Sequence, residues 1–109
     1  MRSIVFCYVV AASLMPIAAA QAEGGLLTKK SSHSVTVTLD RLEAAARDKG
    51  IAIVARVDHA SAAAKAGMDL RPTQVLIFGN PKLGTPLMQS NPQIGLDLPL
   101  KALAWQDAA

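Results

Sequence analysis

Asp58 and His59 stand side by side where an apolar run, Ile51 to Val57, gives way to an alanine-rich segment. Asn80 and Thr85 flank the glycine and proline turns that close a second apolar run, Thr73 to Phe78. A carboxylate next to an imidazole can orient a general base, and the four residues together could line a pocket for a small ligand. Three of them also sit where helices should begin. A helix N-terminus offers free N–H groups to an anion and disfavours a charged histidine nearby, which leaves neutral imidazole available as base or ligand. The residues themselves leave three readings open: helix capping, binding of a small anionic ligand, and catalysis.

Other chemistries are poorly supported. His33 and His59 lack a third partner at a metal-ligand spacing, so no metal site and no cofactor is expected. Ser61, two residues beyond His59 on a helix start, points elsewhere and makes a serine triad weak. Gly79 and Gly84 do not form the GxxxxGK[ST] loop that cradles phosphates and read as turn glycines. Trp105 and Met88 read as core or interface residues.

The elements that must position these residues follow from periodicity and punctuation. Ser34 to Leu39 alternates polar and apolar side chains, which predicts a first strand with one wet face. A helix is expected next, with Thr38 as N-cap, a Glu43–Arg47 pair on its outer side and Gly50 as the left-handed residue after its end. Ile51 to Val57 predicts a second strand, with Arg56 interrupting one face. Ala60 to Ala66 predicts a short helix capped by Asp58 or His59 and closed by Gly67. Thr73 to Phe78, between Pro72 and Gly79-Asn80-Pro81, reads as a central strand covered on both faces. A third helix is expected from Thr85, with Pro86 at its first position, to about Asn91-Pro92. Asp97 to Trp105 completes a β-α-β-α-β-α-β order, with Pro99 marking an edge or bulge. Were the strands parallel, all four polar residues would converge.

The whole chain has 109 residues, room for a single domain. Its first 22 residues read as a signal peptide: Arg2, an apolar stretch from Ile4 to Ile17, and a small-residue cleavage site at Ala20-Gln21-Ala22. The apolar stretch is shorter than the ~20 residues that span a bilayer, so no stable membrane insertion is expected after cleavage. A periplasmic or secreted mature chain would begin at Glu23, with residues 23–32 a flexible leader and 33–109 the domain. Cys7, the only cysteine, would leave with the signal, which excludes a thiol nucleophile, a disulfide framework and zinc–cysteine sites in the mature chain. Eleven basic and eight acidic residues become ten and eight once Arg2 is gone, a net charge of +2 spread over the surface. That pattern lacks the basic stripe of a nucleic-acid binder.

Six spaced motifs carry a family resemblance: Asp58-His59-Ala60, Ala66-Gly67, Leu70-Arg71-Pro72-Thr73, Phe78-Gly79-Asn80-Pro81, Gly84-Thr85-Pro86-Leu87-Met88 and Asp97-Leu98-Pro99-Leu100-Lys101. Over residues 33–106 the chain resembles the family catalogued as domain of unknown function 302. The resemblance implies an α+β two-layer sandwich in which helices pack on a mostly antiparallel sheet of four or more strands, with TATA-binding-protein-like topology. Antiparallel strands would leave Asp58, His59 and Asn80 as the residues able to meet. No activity attaches to the family name, so no catalytic residue carries over. Similar domains usually continue beyond the tryptophan strand, whereas this chain stops at Ala109. An apolar final strand left at an edge predicts a homodimer, or an aggregation-prone protein, with Trp105 near the contact; a truncated gene product is the alternative. The functional expectation is an exported, non-enzymatic module that binds a small ligand or a partner. The competing expectation is an enzyme that uses His59 as general base on a small anionic substrate.

Overall fold

The computed structural model describes residues 20–108 except Gly24, and of Ala20–Glu23 only the backbone. The expected signal segment lies outside the described residues except for Ala20–Ala22. The chain divides into two compact units, residues 1–32 and 33–109.

In the first unit β1 (Ala20–Glu23) pairs antiparallel with β2 (Leu26–Lys29) through Ala20↔Lys29 and Glu23↔Leu26. Part of the segment expected to be a flexible leader is therefore a hairpin. Gly25, part of a glycine pair read as a sign of flexibility, has φ 85 and suits a tight turn.

The second unit opens with a helix where the sequence reading expects a strand. Helix α1 (Val35–Asp48) begins at Ser34, whose side chain accepts a hydrogen bond from the Val37 N–H at 3.2 Å. Val35, Leu39 and Ala46 are buried. Their spacing is helical, and it outweighs the short Val35/Thr36/Val37 alternation because that stripe continues for three turns. The far end behaves as expected: Gly50, at φ 74, donates to the Arg47 carbonyl, and the Ile51 N–H donates to the Ala46 carbonyl. These two bonds form the Schellman closure, and the Glu43–Arg47 pair is present at 3.0 Å.

The sheet of this unit has three antiparallel strands in the order β3 (Ala52–Asp58), β4 (Thr73–Gly79), β5 (Leu100–Trp105). The central position of β4 agrees with its near-continuous apolar run. The expected count of four strands falls by one because Ser34 to Leu39 is helical. The α+β class stands, with α1 packed on one face of the sheet.

A bulge changes which β3 residues face the helix. Ile53 opposes Phe78 but Ala55 opposes Ile77, so Val54 is the extra residue and the alternation slips by one. Arg56 consequently lies opposite Leu76 on the helix-covered face, and Val57 lies opposite Val75 on the other. Leu76, 0% exposed, fills the centre of the covered face. Around it Arg56 spans the interface: Nε donates to Gln74 Oε1 at 2.9 Å, Nη1 to Asp40 Oδ1 at 2.7 Å and Nη2 to the Thr36 carbonyl at 3.1 Å.

Helix α2 (His59–Lys65) connects β3 to β4 and closes at Gly67, φ 78. Helix α3 (Pro81–Ser90) and a 3₁₀ turn (Pro92–Leu96) connect β4 to β5. The expected start of α3 at Thr85 is five residues late. Asn80-Pro81 presents the same cap-then-proline signal earlier, and the helix runs on through Gly84 and Pro86.

Candidate functional site

Antiparallel pairing sends the four candidate residues to opposite ends of the sheet. Asp58 lies opposite Gln74, at the start of β4, whereas Gly79, just before Asn80, lies opposite Ala52. Six residues of strand at ~3.3 Å each separate the two ends by roughly 20 Å. The convergence expected from a parallel sheet, and the meeting of Asp58, His59 and Asn80, therefore do not occur.

Two of the four side chains are occupied as caps. Asp58 Oδ1 accepts from the Ser61 N–H at 2.9 Å at the head of α2, and Asn80 Oδ1 accepts from the Lys82 N–H at 3.0 Å at the head of α3. His59 is the exposed first residue of α2. Thr85 sits inside α3. Among the described residues no three His, Cys, Asp or Glu side chains come together as a metal site would need.

What the structure does assemble is an apolar groove of about 450 Å³ at the Asn80 end of the sheet. Its floor is the end of β4, Phe78 and Gly79, with Ile51 and Val54 on one side and the Leu98-Pro99-Leu100 segment on the other. Helix α3 forms the remaining wall. Leu83, Gly84, Leu87 and Met88, spaced by one turn, present one stripe of that helix to the groove. Gly84 lets the wall close, because a Cβ there would stand 3.2 Å from Leu98 Cδ1. The volume falls in the range of small-ligand and anchor pockets.

Asn80 and Thr85 are the polar members of the lining, and no charged side chain or histidine contributes to it. Without a titratable group such a surface cannot perform acid–base chemistry; it can desolvate apolar groups. Leu83 and Leu87, 69% and 50% exposed, leave much of its rim in water. Sequence reasoning reaches Asn80 and Thr85 as site residues, reads Met88 as core or interface and Leu87 as part of the third helix, and leaves Leu83 outside that helix. The i, i+4 pair Leu83/Leu87 beside Gly84/Met88 is the available signal, and a helix start at Thr85 hides it by excluding Leu83 and Gly84.

Fold and groove together define a class: a helix-backed, three-stranded antiparallel α+β domain with an uncharged apolar groove at one end of the sheet. A family model described as "Domain of unknown function DUF302" matches residues 27–109, and the chain belongs to that family. The crystal structure of an uncharacterized conserved DUF302 protein from Bacillus stearothermophilus shares the fold, with a TM-score of 0.65 at 23% identity over 71% of this chain and 61% of that one. Among curated relatives, the protein named fluoride-specific ion channel FluC 1 of Brucella suis biovar 1 is 49% identical over 87 residues, 80% of this chain and 34% of its own length. FluC 2 of Brucella melitensis biotype 1 is 49% identical over 87 residues, 80% of this chain and 32% of its own length. The chain thus spans about a third of the length of the curated relatives it matches. No helix among the described residues is long and apolar enough to cross a membrane.

Proposed function

We propose that this domain is an exported, non-catalytic binding module that uses the groove between α3 and the end of the sheet to hold an apolar segment of a partner protein. One observation carries the reading: a groove of about 450 Å³ whose lining includes no charged residue and whose rim leucines stand in water. An anionic ligand would find no cation in that lining, so an apolar occupant is the better chemical match. The half-open rim favours a partner's side chains over an enclosed small molecule. Relatives named as fluoride-specific ion channels carry a closely similar segment within chains about three times as long. That arrangement supports a module that can serve a membrane protein, and such a channel is the first partner to try.

A leucine-rich amphipathic peptide and a neutral environment-sensitive naphthalene dye provide the test. Both should bind the native chain, and Leu83→Glu or Leu87→Glu should weaken binding by at least about tenfold, because a carboxylate resists desolvation in an apolar site. Both positions are exposed, so the unfolding midpoint should hardly move. Equal binding by the variants, or none by the native chain, rejects the groove. His59→Gln, roughly 20 Å away by strand geometry, should leave binding unchanged.

A further inference from the structure

The face of the sheet opposite α1 is the more apolar of the two. Register and alternation place Ala55, Val57, Val75, Ile77, Leu103 and Trp105 there, with only Thr73 and Lys101 as polar members. The covered face carries Arg56 and Gln74. This inverts the usual pattern of an antiparallel sheet with one wet side. Leu103 and Trp105, 51% and 49% exposed, bring the apolar surface out to β5, an edge strand.

The two edges differ. The bulge at Val54 disrupts and twists β3, which discourages strand addition there. β5 pairs with β4 without a register shift and contains no proline. The Gln106 N–H donates to the Pro72 carbonyl at 3.0 Å. Backbone groups two residues apart point the same way, so Ala104, Ala102 and Leu100 also address β4. The N–H and C=O groups of Lys101, Leu103 and Trp105 therefore point away from the sheet.

We infer that β5 pairs antiparallel with β5 of a second copy of this chain, with Leu103 on the two-fold axis. Charge selects both the partner and the register. With Leu103 opposite its own copy, Lys101 lies opposite the second copy's Trp105, and this register forms about six backbone hydrogen bonds. Shifting the axis to Ala102 leaves about four between residues of β5, because Trp105 then faces Pro99, which lies beyond the strand and has no N–H to donate, and it moves Lys101 away from the indole. Shifting it to Lys101 sets two cations against each other. In the inferred register the ammonium meets an aromatic face, and Asp107, whose Oδ1 accepts from Trp105 Nε1 at 3.1 Å, adds a carboxylate diagonally across the pair. A lone edge lysine commonly repels other strands; here it has a complementary place on its own copy. Ala102 and Ala104, opposite each other on the helix-covered face, leave room for close approach. The result is a six-stranded sheet with both α1 helices on one side.

The test uses the full chain. Sedimentation equilibrium should give twice the 11.4 kDa of one chain, and Leu103→Arg should return the single-chain mass with a cooperative unfolding transition whose midpoint does not depend on protein concentration. In a Cys7→Ser background, Leu103→Cys should form a disulfide-linked dimer, since facing residues in a hydrogen-bonded antiparallel pair have Cα atoms about 5.5 Å apart, within disulfide reach. Lys101→Cys alone should stay uncrosslinked, yet couple to Trp105→Cys when the two proteins are mixed. A single-chain mass up to millimolar concentration overturns the inference. So does a dimer that crosslinks through Val57→Cys and not Leu103→Cys, which would mean that the open faces stack.

Discussion

Arg56 is the side chain through which sheet and helix register on each other. Its guanidinium uses three nitrogens on three partners, Gln74, Asp40 and the Thr36 carbonyl, and Gln74 Nε2 in turn donates to Thr36 Oγ1 at 3.2 Å. A lysine would keep the charge but offer one nitrogen where a planar fork meets three acceptors. Arg56→Lys should lower the unfolding free energy by about 1–2 kcal/mol in urea titrations, the scale of losing hydrogen bonds with a charged donor. Asp40 is mostly exposed, and water screens its pairing, so Asp40→Asn should cost no more than about 0.5 kcal/mol. Equal losses from the two substitutions would place the stabilisation in the ion pair and contradict the fork. In the sequence Arg56 is legible only as an interruption of an apolar strand. Which face it joins depends on the bulge at Val54, a one-residue slip that alternation alone does not disclose.

At the scale of elements, punctuation was more legible than periodicity. Pro72 and Gly79-Asn80-Pro81 bracket β4 and locate the central strand, and Gly50 and Gly67 mark helix ends with left-handed φ values of 74 and 78. Helix α1 was obscured because Val35, Val37 and Leu39 satisfy a period of two over the same residues whose stripe through Leu39, Leu42 and Ala46 satisfies a period of 3.6. A helix start at Thr38 keeps Leu39, Leu42 and Ala46 on one face and leaves out only the first turn, with Val35. Helix α3 was shifted because Thr85-Pro86 and Asn80-Pro81 are the same signal, and only the groove, a tertiary feature, distinguishes them. At the candidate site the capping role expected of Asp58 or His59 falls to Asp58, whereas Asn80, legible only as a polar residue at a strand end, also holds a cap. Substitutions separate the roles. Asp58→Ala and Asn80→Ala should each cost about 1 kcal/mol as lost N-caps, while Thr85→Ala, inside α3, should stay within about 0.5 kcal/mol. Chemical denaturation of the three variants measures this. A Thr85 loss as large as that of Asn80 would restore Thr85 as the helix start.

Among the described residues of the molecule, the decisive quantity is how little is fully buried. Val35, Leu39, Ala46 and Leu76 are the buried apolar residues among those described, and Leu39 and Leu76 are the largest of them. A core in a unit of about 80 residues supplies on the order of 3–5 kcal/mol. Replacing Leu76 by alanine removes about 2–5 kcal/mol, through lost transfer free energy and the cavity left between α1 and β4. These magnitudes are comparable, so Leu76→Ala should be largely unfolded in plain buffer, with weak far-ultraviolet dichroism and no cooperative urea transition. Leu83→Ala, at an exposed rim position, should keep the native midpoint within about 0.5 kcal/mol. The same reasoning makes stability depend on assembly. Pairing along β5 binds the folded chain and not the unfolded one, so the native midpoint should rise with protein concentration, while that of Leu103→Arg should not. A Leu76→Ala protein with full native signal and a concentration-independent midpoint would show that something other than this small core holds the fold, and would count against both arguments together.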